Sequence, residues 1–505
     1  MTARARSSWP VVALIALGPL AASGLAQDGD RSEVSFHKQV RPLLQASCQG
    51  CHQPAKADGA LVLTDYEGLL RGGKQGPAIV PGSPEGSVLI DMITPFADMP
   101  ADMPLDRDPL TSAEIELFRR WVAEGAKDDT PPALRQHFTP ENPPVYERPP
   151  VLTSLDYSPD GKLLAVSGYS EVLLHSTEGD GGLVARLVGL SERIESLAFS
   201  PDGTLLAMAG GSPARFGELQ IWDVAKRELL HSVQVTYDTL YGVSWSHDGT
   251  RVAFGCSDRT LRAVDVKSGD EVLYQGAHED WVLDTVFSTD SSHLVSVGRD
   301  RTMKLVKVDT QQFIDNITSI TPGALLGGLT AVDRHPTRDE LLVSGADGIP
   351  RIYKMYREKK RVIGDDFNLI RAFDALPGRV FDVRFSKNGE VIAAGSSSRG
   401  TGEVRVYRAA DGEEAWRFEA PGGVFALGFH PLSDELATAG FDGMVRLFDA
   451  QDGRLKREFV PVPLAADTPA EPPAEATPIE ATTKKPTTER VVLDARASER
   501  TGESR

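Results

Sequence analysis

Cysteine is scarce in this sequence, and it lacks both long apolar runs and an excess of basic charge. Its 505 residues include three cysteines, too few for a disulfide framework. Lysine and arginine total 54 against 72 acidic residues, and this formal net charge of -18 argues against a binder of nucleic-acid phosphates. Beyond residue 26 no apolar stretch reaches the roughly 18 residues that a membrane-spanning helix needs. We therefore expect no nucleic-acid partner and no membrane span after that point.

What the sequence does contain is typical of a multidomain protein. At roughly 100 to 200 residues per domain, its length predicts two to four domains. Hydrophobic residues make up 41%, enough for a sizeable core. The 47 glycines and 34 prolines indicate many turns, which favours β structure over a helical bundle.

The first 26 residues have the pattern of a secretory signal peptide. Arg4 and Arg6 supply the positive start, an apolar run of about twelve residues follows, and small residues surround Ala26 at the expected cleavage site. The alternative, an uncleaved membrane anchor, would need a longer apolar run. The pattern predicts a periplasmic or otherwise exported protein.

The most specific motif is Cys48-Gln49-Gly50-Cys51-His52, a C-x-x-C-H. Two thiols at this spacing can bond to the two vinyl groups of one haem, while the following imidazole binds its iron. A zinc site would need two further nitrogen or sulfur ligands nearby, and there is no second C-x-x-C. A thioredoxin-like redox pair would need a βαβ pattern, which the surrounding sequence does not show. The motif therefore predicts one covalently bound haem c, with His52 on the iron.

Two helices are predicted around this motif. The first carries an apolar pattern interrupted by Pro42, so it should be kinked or begin late. The second should begin after Thr111, with Glu114 completing a capping box, and end at Gly125. Trp121 on its apolar stripe is expected to be an ordinary core residue.

A thioether would be the usual sixth ligand of an electron carrier, and three methionines follow the motif. Met92 lies in an apolar helical stretch and is expected to pack in the core. Met99 and Met103 each precede a proline, which stiffens the loop that must hold the sulfur. The residues themselves leave Met99 and Met103 as alternatives.

Residues 31–130 resemble the cytochrome c domain that occurs fused to other modules in planctomycete bacteria. The resemblance rests on the C-x-x-C-H motif and on three further stretches: Phe36–Leu44, Gly76–Gly82 and Leu110–Ala126. It implies a small all-α haem domain whose cofactor is bound by Cys48, Cys51, His52 and Met103. In that family the ligand methionine begins a Met-Pro-Pro stretch and lies seven residues before a Leu-Thr or Leu-Ser pair. Met103 lies seven residues before Leu110 in the same way. The sequence departs from the family in reading Met-Pro-Leu at this point and in having a second Met-Pro at 99.

A repeat occupies the following 310 residues or so. An aromatic residue or arginine enters a Ser-Pro-Asp-Gly-like turn seven times, at intervals of 42, 46, 42, 47, 51 and 44 residues. This spacing is typical of a four-stranded propeller blade. The seven entry positions are Tyr157, Phe199, Trp245, Phe287, Arg334, Phe385 and Phe429.

The array resembles the WD-repeat β-propeller family through Ile221-Trp222-Asp223 and the partial match Leu447-Phe448-Asp449. That resemblance implies an all-β propeller of seven blades over residues 150–460. The fourth copy carries the family's structural network in His278, Ser296 and Asp300, although Val306 replaces the tryptophan. We interpret these side chains as structural, and Cys256 as a buried thiol in a second strand.

Three other segments complete the predicted organisation. Residues 131–149 have the proline pairs of a semi-rigid linker, and residues 462–505 have the composition of a disordered tail. The basic run Arg357, Lys359, Lys360 and Arg361 is interpreted as a solvated hairpin, with an acidic partner site as the alternative.

The predicted fold class is therefore multidomain, a small all-α cytochrome c domain followed by an all-β seven-bladed propeller. The function implied is one-electron transfer between redox partner proteins, with a further protein docking on the propeller face. No catalytic residue is assigned. The alternatives are a haem-dependent oxidoreductase whose propeller holds a substrate or second cofactor, and a haem redox sensor.

Overall fold

The computed structural model describes residues 33–465, except 54–55, 98, 106–107, 132–137, 214, 277, 320–324, 363 and 365. The predicted signal peptide (1–26) and nearly all of the predicted tail (466–505) lie outside the described residues. None of the described helices is long and apolar enough to cross a lipid bilayer.

The N-terminal region is small and helical. Its α-helices are α1 (Arg41–Ser47), α2 (Tyr66–Arg71), α3 (Val88–Ile93) and α4 (Ser112–Ala123). A π-helical turn (Phe36–Val40) precedes α1, and two 3₁₀ turns cover Asp58–Ala60 and Pro84–Gly86. A short hairpin is formed by β1 (His52–Gln53) and β2 (Lys56–Ala57).

Both predicted helices form, and the first changes from a π-helical turn to an α-helix at Arg41, next to Pro42. Pro42 lies in the first turn of α1, where its missing N–H needs no partner. At the start of α4 the Thr111 hydroxyl accepts from the Glu114 backbone N–H at 3.3 Å, and the Glu114 carboxylate accepts from the Thr111 N–H at 2.7 Å. Gly125, with φ +98°, ends the helix.

Trp121 is the centre of the helical core. It is 1% exposed and stacks on Phe36 with ring centroids 5.2 Å apart, which confirms it as a core residue. Its indole N–H donates to the Lys127 carbonyl at 3.0 Å, so its single polar atom is satisfied inside the core. Tyr66 closes the cluster edge-on to both rings.

The remainder is all β, in antiparallel sheets whose strands follow chain order. One seven-stranded sheet contains β3 (Leu155–Tyr157), β4 (Leu163–Ser167), β5 (Tyr169–Ser176), β6 (Leu183–Phe199), β7 (Leu205–Ser212), β8 (Phe216–Asp223) and β9 (Glu228–Thr236). The next two sheets are four-stranded: β10 (Leu240–Trp245), β11 (Arg251–Cys256), β12 (Leu261–Asp265) and β13 (Glu271–Gln275), then β14 (Val282–Phe287), β15 (His293–Gly298), β16 (Met303–Lys307) and β17 (Gln312–Asn316).

Three further four-stranded sheets complete the β region. They comprise β18 (Leu329–Arg334), β19 (Glu340–Gly345), β20 (Arg351–Lys354) and β21 (Leu369–Ala372); β22 (Arg379–Phe385), β23 (Val391–Ser398), β24 (Thr401–Arg408) and β25 (Glu414–Ala420); and β26 (Val424–Phe429), β27 (Glu435–Gly440), β28 (Val445–Asp449) and β29 (Leu455–Phe459).

The long strand β6 belongs to two neighbouring sets of strands. Its first part pairs with β5, as in Val188 opposite Glu171, and its last part pairs with β7, as in Phe199 opposite Leu206. The strands β3, β6, β10, β14, β18, β22 and β26 contact one another in that order, and β26 contacts β3. The inner strands therefore form a closed ring.

The turn signature has a local physical cause. In the first copy the Ser158 hydroxyl donates to the Asp160 carboxylate at 2.7 Å and accepts from the Leu163 N–H at 2.9 Å. Gly161 takes φ +71°, a conformation that other residues adopt only with strain. The same serine–acid pair recurs at Ser200, Ser246 and Ser288, each with an aspartate two residues later.

The expected WD-type network forms in the fourth copy. The His278 ring contacts the Asp300 carboxylate through Nδ1 at 3.0 Å and the Ser296 hydroxyl through Nε2 at 2.8 Å. Cys256 is fully buried in β11, as predicted, and this burial raises its thiol pKa to about 12. Both His278 and Cys256 are buried.

The interpretation of the basic run as a solvated hairpin is wrong for its two arginines. Arg357 Nε and Arg361 Nη2 lie 3.1 and 2.8 Å from the Asp315 carboxylate. Asp315 lies in β17, more than 40 residues before the two arginines, so this pairing has no local sequence signal. Lys359 lies over the Phe367 ring, 4.8 Å from its centroid.

The end of the predicted linker and the start of the predicted tail are part of the β fold. Tyr146 is buried, and its hydroxyl donates to Glu171 at 2.7 Å. Its carbonyl accepts from the Ala465 N–H at 2.8 Å, and Val462 is buried beside it. Residues 138–150 and 462–465 therefore pack on the first sheet, while 132–137 lie outside the described residues.

Candidate functional site

A cavity of about 320 Å³ opens in the helical region. Cys48, Cys51, His52 and Met103, the four predicted cofactor residues, all line it. Most of the remaining wall is apolar, formed by Leu61, Leu63, Ala78, Val88, Leu89 and Ile93. The structure thus brings together side chains separated by up to 55 residues.

The end of α1 places the C-x-x-C-H motif on this cavity. The Cys48 N–H donates to the Leu44 carbonyl at 2.9 Å, which closes the last turn of the helix. The Cys48 carbonyl then accepts from the N–H groups of Cys51 and His52 at 3.3 and 3.2 Å. One helical turn therefore presents both thiols and the imidazole to the same cavity.

The orientation of His52 is fixed by its neighbours. Its Nδ1 donates to the Asp58 carbonyl at 3.0 Å, because a carbonyl oxygen can only accept. The backbone is held as well, since the His52 carbonyl accepts from the Leu63 N–H at 2.8 Å. With the proton on Nδ1, the other ring nitrogen keeps the lone pair that a metal needs.

The three methionines occupy different environments. Met103 is half-buried, lines the cavity and packs against the helical core. Met99 is 62% exposed and is absent from the described cavity wall. Met92, expected in the core, is instead half-buried at the cavity, where its carbonyl accepts from the Met103 N–H at 2.9 Å.

These residues fit a haem. The cavity offers two thiols for covalent attachment, an imidazole whose Nδ1 is already engaged, and two thioethers beside apolar walls. Sequence reasoning found the first three groups and Met103 but missed Met92 at the wall. It also missed the Asp58 carbonyl, because a backbone acceptor carries no residue-type signal.

A second cavity of about 680 Å³ lies within the ring of inner strands. Its wall includes Asp284 and Asp382, and Arg384 lies 3.2 Å from the Asp382 carboxylate. Desolvation raises the pKa of Asp284 to about 7, although Arg384 opposes the shift. Within the part of the chain that the structure describes, no group of three or more His, Cys, Asp or Glu side chains is arranged to hold a metal ion.

Comparison with known families supports both halves of the chain. The planctomycete cytochrome C family model matches residues 48–104, the stretch from the first cysteine of the motif to the residue after Met103. The WD domain, G-beta repeat, matches residues 227–265, 270–307 and 412–449. The three WD-repeat matches cover β9–β12, β13–β16 and β25–β28.

Three curated relatives each match a short part of the chain. The WD repeat and SOCS box-containing protein 1 of Danio rerio is 35% identical over 100 residues, which are 19% of this chain and 24% of the relative. Coronin-7 of Mus musculus is 30% identical over 189 residues, or 35% of this chain and 20% of that protein. The ribosome biogenesis protein WDR12 homolog of Chlamydomonas reinhardtii is 32% identical over 140 residues, 26% and 31% of the two chains.

The chain therefore spans less than a third of the length of each of these three relatives. Two of the three carry the WD repeat in their names, which agrees with the family match and the antiparallel sheets. The C-x-x-C-H motif on the cavity lies in the segment that the planctomycete cytochrome C model matches. The chain is a fusion of a planctomycete-type cytochrome c domain with a WD40-repeat β-propeller.

Proposed function

We propose that this protein is an exported c-type cytochrome that transfers single electrons and uses its propeller to dock other proteins. One haem c would be held by thioether bonds to Cys48 and Cys51, and His52 and Met103 would bind its iron. When bound, the haem supplies reversible one-electron chemistry. The observation that carries the proposal is the convergence of these four side chains on one cavity.

The surrounding residues have distinct roles in this proposal. The Asp58 carbonyl holds the imidazole of His52 in the tautomer with the proton on Nδ1. The second ring nitrogen then has the lone pair with which it would bind the iron. The apolar walls exclude water from the bound group, which favours the reduced state. Cys51 is exposed, so one edge of the site is accessible to a redox partner.

The propeller is best described as seven blades. Counting β6 once with β3–β5 and once with β7–β9 divides the seven-stranded sheet into two blades that share a continuous strand. The five four-stranded sheets supply the others. The closed contact ring of seven inner strands supports the same count. A rigid propeller of this kind is suited to protein docking, so we assign it that role.

Attachment of the haem is the first test. The protein is produced in a host that matures c-type cytochromes, and we expect one haem per chain that survives acid-acetone extraction and denaturing electrophoresis. The double variant Cys48→Ala plus Cys51→Ala should lose it. Cys256→Ala, which removes the buried thiol in the propeller, is the matched control and should keep it.

Two outcomes would contradict the proposal. Covalent haem in the double variant would mean that the motif is not the attachment site. A second pigment in the purified protein would favour the oxidoreductase alternative, in which the propeller holds its own cofactor. Cell fractionation of the tagged full chain tests the exported location, which a cytoplasmic pool of mature, haem-loaded protein would refute.

A further inference from the structure

The cavity of the helical region has a small charged sector on an otherwise apolar and neutral wall. Among the described residues of that wall, Lys74 is the one lysine or arginine and Asp58 the one acidic residue. Both side chains are exposed, so they lie at the rim of the cavity and not in its floor. Neither has a role in the haem attachment or iron ligation proposed above.

A tight turn holds Lys74 at this rim. The Gly73 N–H donates to the Gly76 carbonyl and the Gly76 N–H donates to the Gly73 carbonyl, both at 3.0 Å, which closes the turn around Lys74 and Gln75. The Lys74 N–H donates to the Gly59 carbonyl at 2.8 Å. The backbone of Lys74 is therefore fixed, while its side chain keeps the flexible four-carbon stem of a lysine.

The same turn packs against the segment that orients His52. Gly59 follows Asp58, whose carbonyl accepts from His52 Nδ1 at 3.0 Å. Gly73 makes this close approach possible, because a Cβ atom there would lie 2.7 Å from the Gly59 carbonyl oxygen. Lys74 and the predicted iron ligand are therefore tied to adjacent residues of one short segment.

The charge of Lys74 is not neutralised inside the protein. In the part of the chain that the structure describes, no carboxylate forms an ion pair with Lys74. By contrast, Arg120 and Lys127 of the same region are each paired with a glutamate. Ligand cavities orient their ligands by a few well-placed polar groups, and a cation without an internal counter-ion is suited to an anionic group of the ligand.

A haem would bring two carboxylates to this cavity. Its vinyl groups and its propionates lie on different edges of the macrocycle, so an edge bonded to Cys48 and Cys51 leaves the propionates to face another part of the wall. Most of that wall is apolar, and an unpaired carboxylate against it would be costly. Lys74 offers a propionate both a positive charge and an exposed point of the rim.

We propose that Lys74 binds a haem propionate through a charge-assisted hydrogen bond and thereby determines which edge of the haem faces solvent. The inference rests on the proposed function, because it needs the haem, and it adds a positioning residue that bonds neither the iron nor the vinyl groups. A positive charge at this place also favours the reduced haem. Reduction adds one negative charge, which the Lys74 ammonium attracts.

A charge series at Lys74 tests the electrostatic effect in the haem-loaded, full-length protein. In about 0.1 M salt, Lys74→Gln should lower the midpoint potential, Lys74→Glu should lower it by about twice as much, and Lys74→Arg should leave it nearly unchanged. The shifts should shrink in about 1 M salt, where the Debye length is about 3 Å instead of about 10 Å. Lys38→Gln is the matched control. It removes the same charge from an exposed residue outside the described cavity wall and should leave the potential unchanged.

Infrared difference spectroscopy tests the contact with the propionate itself. The haem is given a heavy carbon isotope at its propionate carboxyls by feeding the host a labelled haem precursor, and oxidised-minus-reduced spectra then isolate the labelled bands. Lys74→Gln should move these carboxylate bands, because it removes a charged hydrogen-bond donor. In Lys38→Gln the bands should stay in place.

Each contrary outcome has its own meaning. Equal potentials in Lys74→Gln and Lys38→Gln would refute the placement of Lys74 beside the haem. A lowered potential with unmoved carboxylate bands would mean that Lys74 acts through its charge alone, and the propionate contact would be refuted. Unaltered protein that carries no covalent haem would refute the proposed function and this contact with it. Haem content and circular dichroism, which should be equal in all variants, distinguish that result from the other two.

Discussion

At the scale of single residues, the site depends on how the protein constrains a few side chains. His52 is oriented by a backbone carbonyl, and the two thiols follow from one helical turn. The proposed methionine ligand is less constrained, because Met92 and Met103 both line the cavity while Met99 is mostly exposed. The residue type alone predicts a thioether, and the placement separates Met99 from the other two methionines.

We expect Met103→Ala to abolish the methionine–iron charge-transfer band of the oxidised protein and to lower its midpoint potential. The reason is that thioether ligation favours the reduced iron, whereas water in its place does not. Met99→Ala and Met92→Ala are the matched controls, and both should retain the band. Loss of the band in Met92→Ala alone would make Met92 the ligand, and loss in Met99→Ala alone would require a rearranged loop.

At the scale of elements, neighbouring sheets are joined by a repeated contact from inner strand to inner strand. Carboxylates on β14, β18 and β22 each accept a backbone N–H from the next inner strand: Asp284 from Val332, Asp333 from Phe385, and Asp382 from Leu427, at 2.7 to 2.8 Å. Asp156 on β3 accepts from Phe199 in the same way. Arg384 stabilises the ionised form of all four carboxylates.

This arrangement predicts a pH dependence for Asp284. Its pKa in the fold is about 7, above the ordinary value of 3.8, because desolvation outweighs the attraction of Arg384. Between these values the native state holds a proton that the unfolded chain has lost, so the free energy of unfolding falls as pH rises from about 4 to 7. Asp284→Asn keeps the acceptor for the Val332 N–H and removes this cost. Relative to the unaltered protein, the variant should gain up to about 4 kcal/mol by pH 8 in urea unfolding, since one pKa unit corresponds to about 1.4 kcal/mol.

Asp290→Asn provides the control of opposite sign. Hydrogen bonds from Ser292 and Ser288 lower the pKa of Asp290 to about 2, so its contribution is present above the ordinary aspartate pKa and is lost as pH falls toward 2. This variant should therefore lose stability near neutral pH and match the unaltered protein in acid. A stability difference for Asp284→Asn that does not change with pH would contradict the assignment.

At the scale of the whole molecule, the segments before the first propeller strand and after the last one pack together on the first sheet. Tyr146, before the first strand, and Val462, after the last, pack on Leu173 of the first sheet. Tyr146 and Leu464 also form a bridge between the two segments. The predicted linker and tail therefore contribute to the propeller where they adjoin it.

We expect residues 143–465, produced alone, to fold as a disulfide-free, mainly β domain without haem, since the blades provide their own core. Circular dichroism and urea unfolding measure this directly. A fragment limited to residues 150–460 should be less stable by about 2–4 kcal/mol, because it loses the buried Tyr146 and Val462. Equal stability of the two fragments would show that the flanking contacts contribute nothing, and a mainly helical spectrum would refute the fold.

Features that depend on neighbours along the chain could be predicted from the amino-acid pattern. The capping box at Thr111, the start of α1 beside Pro42, the serine–acid turns and the C-x-x-C-H turn all arise from contacts within about five residues. Their residue types at fixed offsets are sufficient signals, and the regular interval of the turns then indicates blades.

Contacts between distant segments could be found only in the folded protein. Asp315 contacts two arginines more than 40 residues away, and Tyr146 forms a bridge with Leu464, which lies beyond the last strand. No pattern of residue types predicts such pairs, because each depends on how the whole chain folds and which segments then lie next to each other. The same reason separates Met103 from Met99: both have the right side chain and the right proline, and only the folded loop places one of them at the cavity.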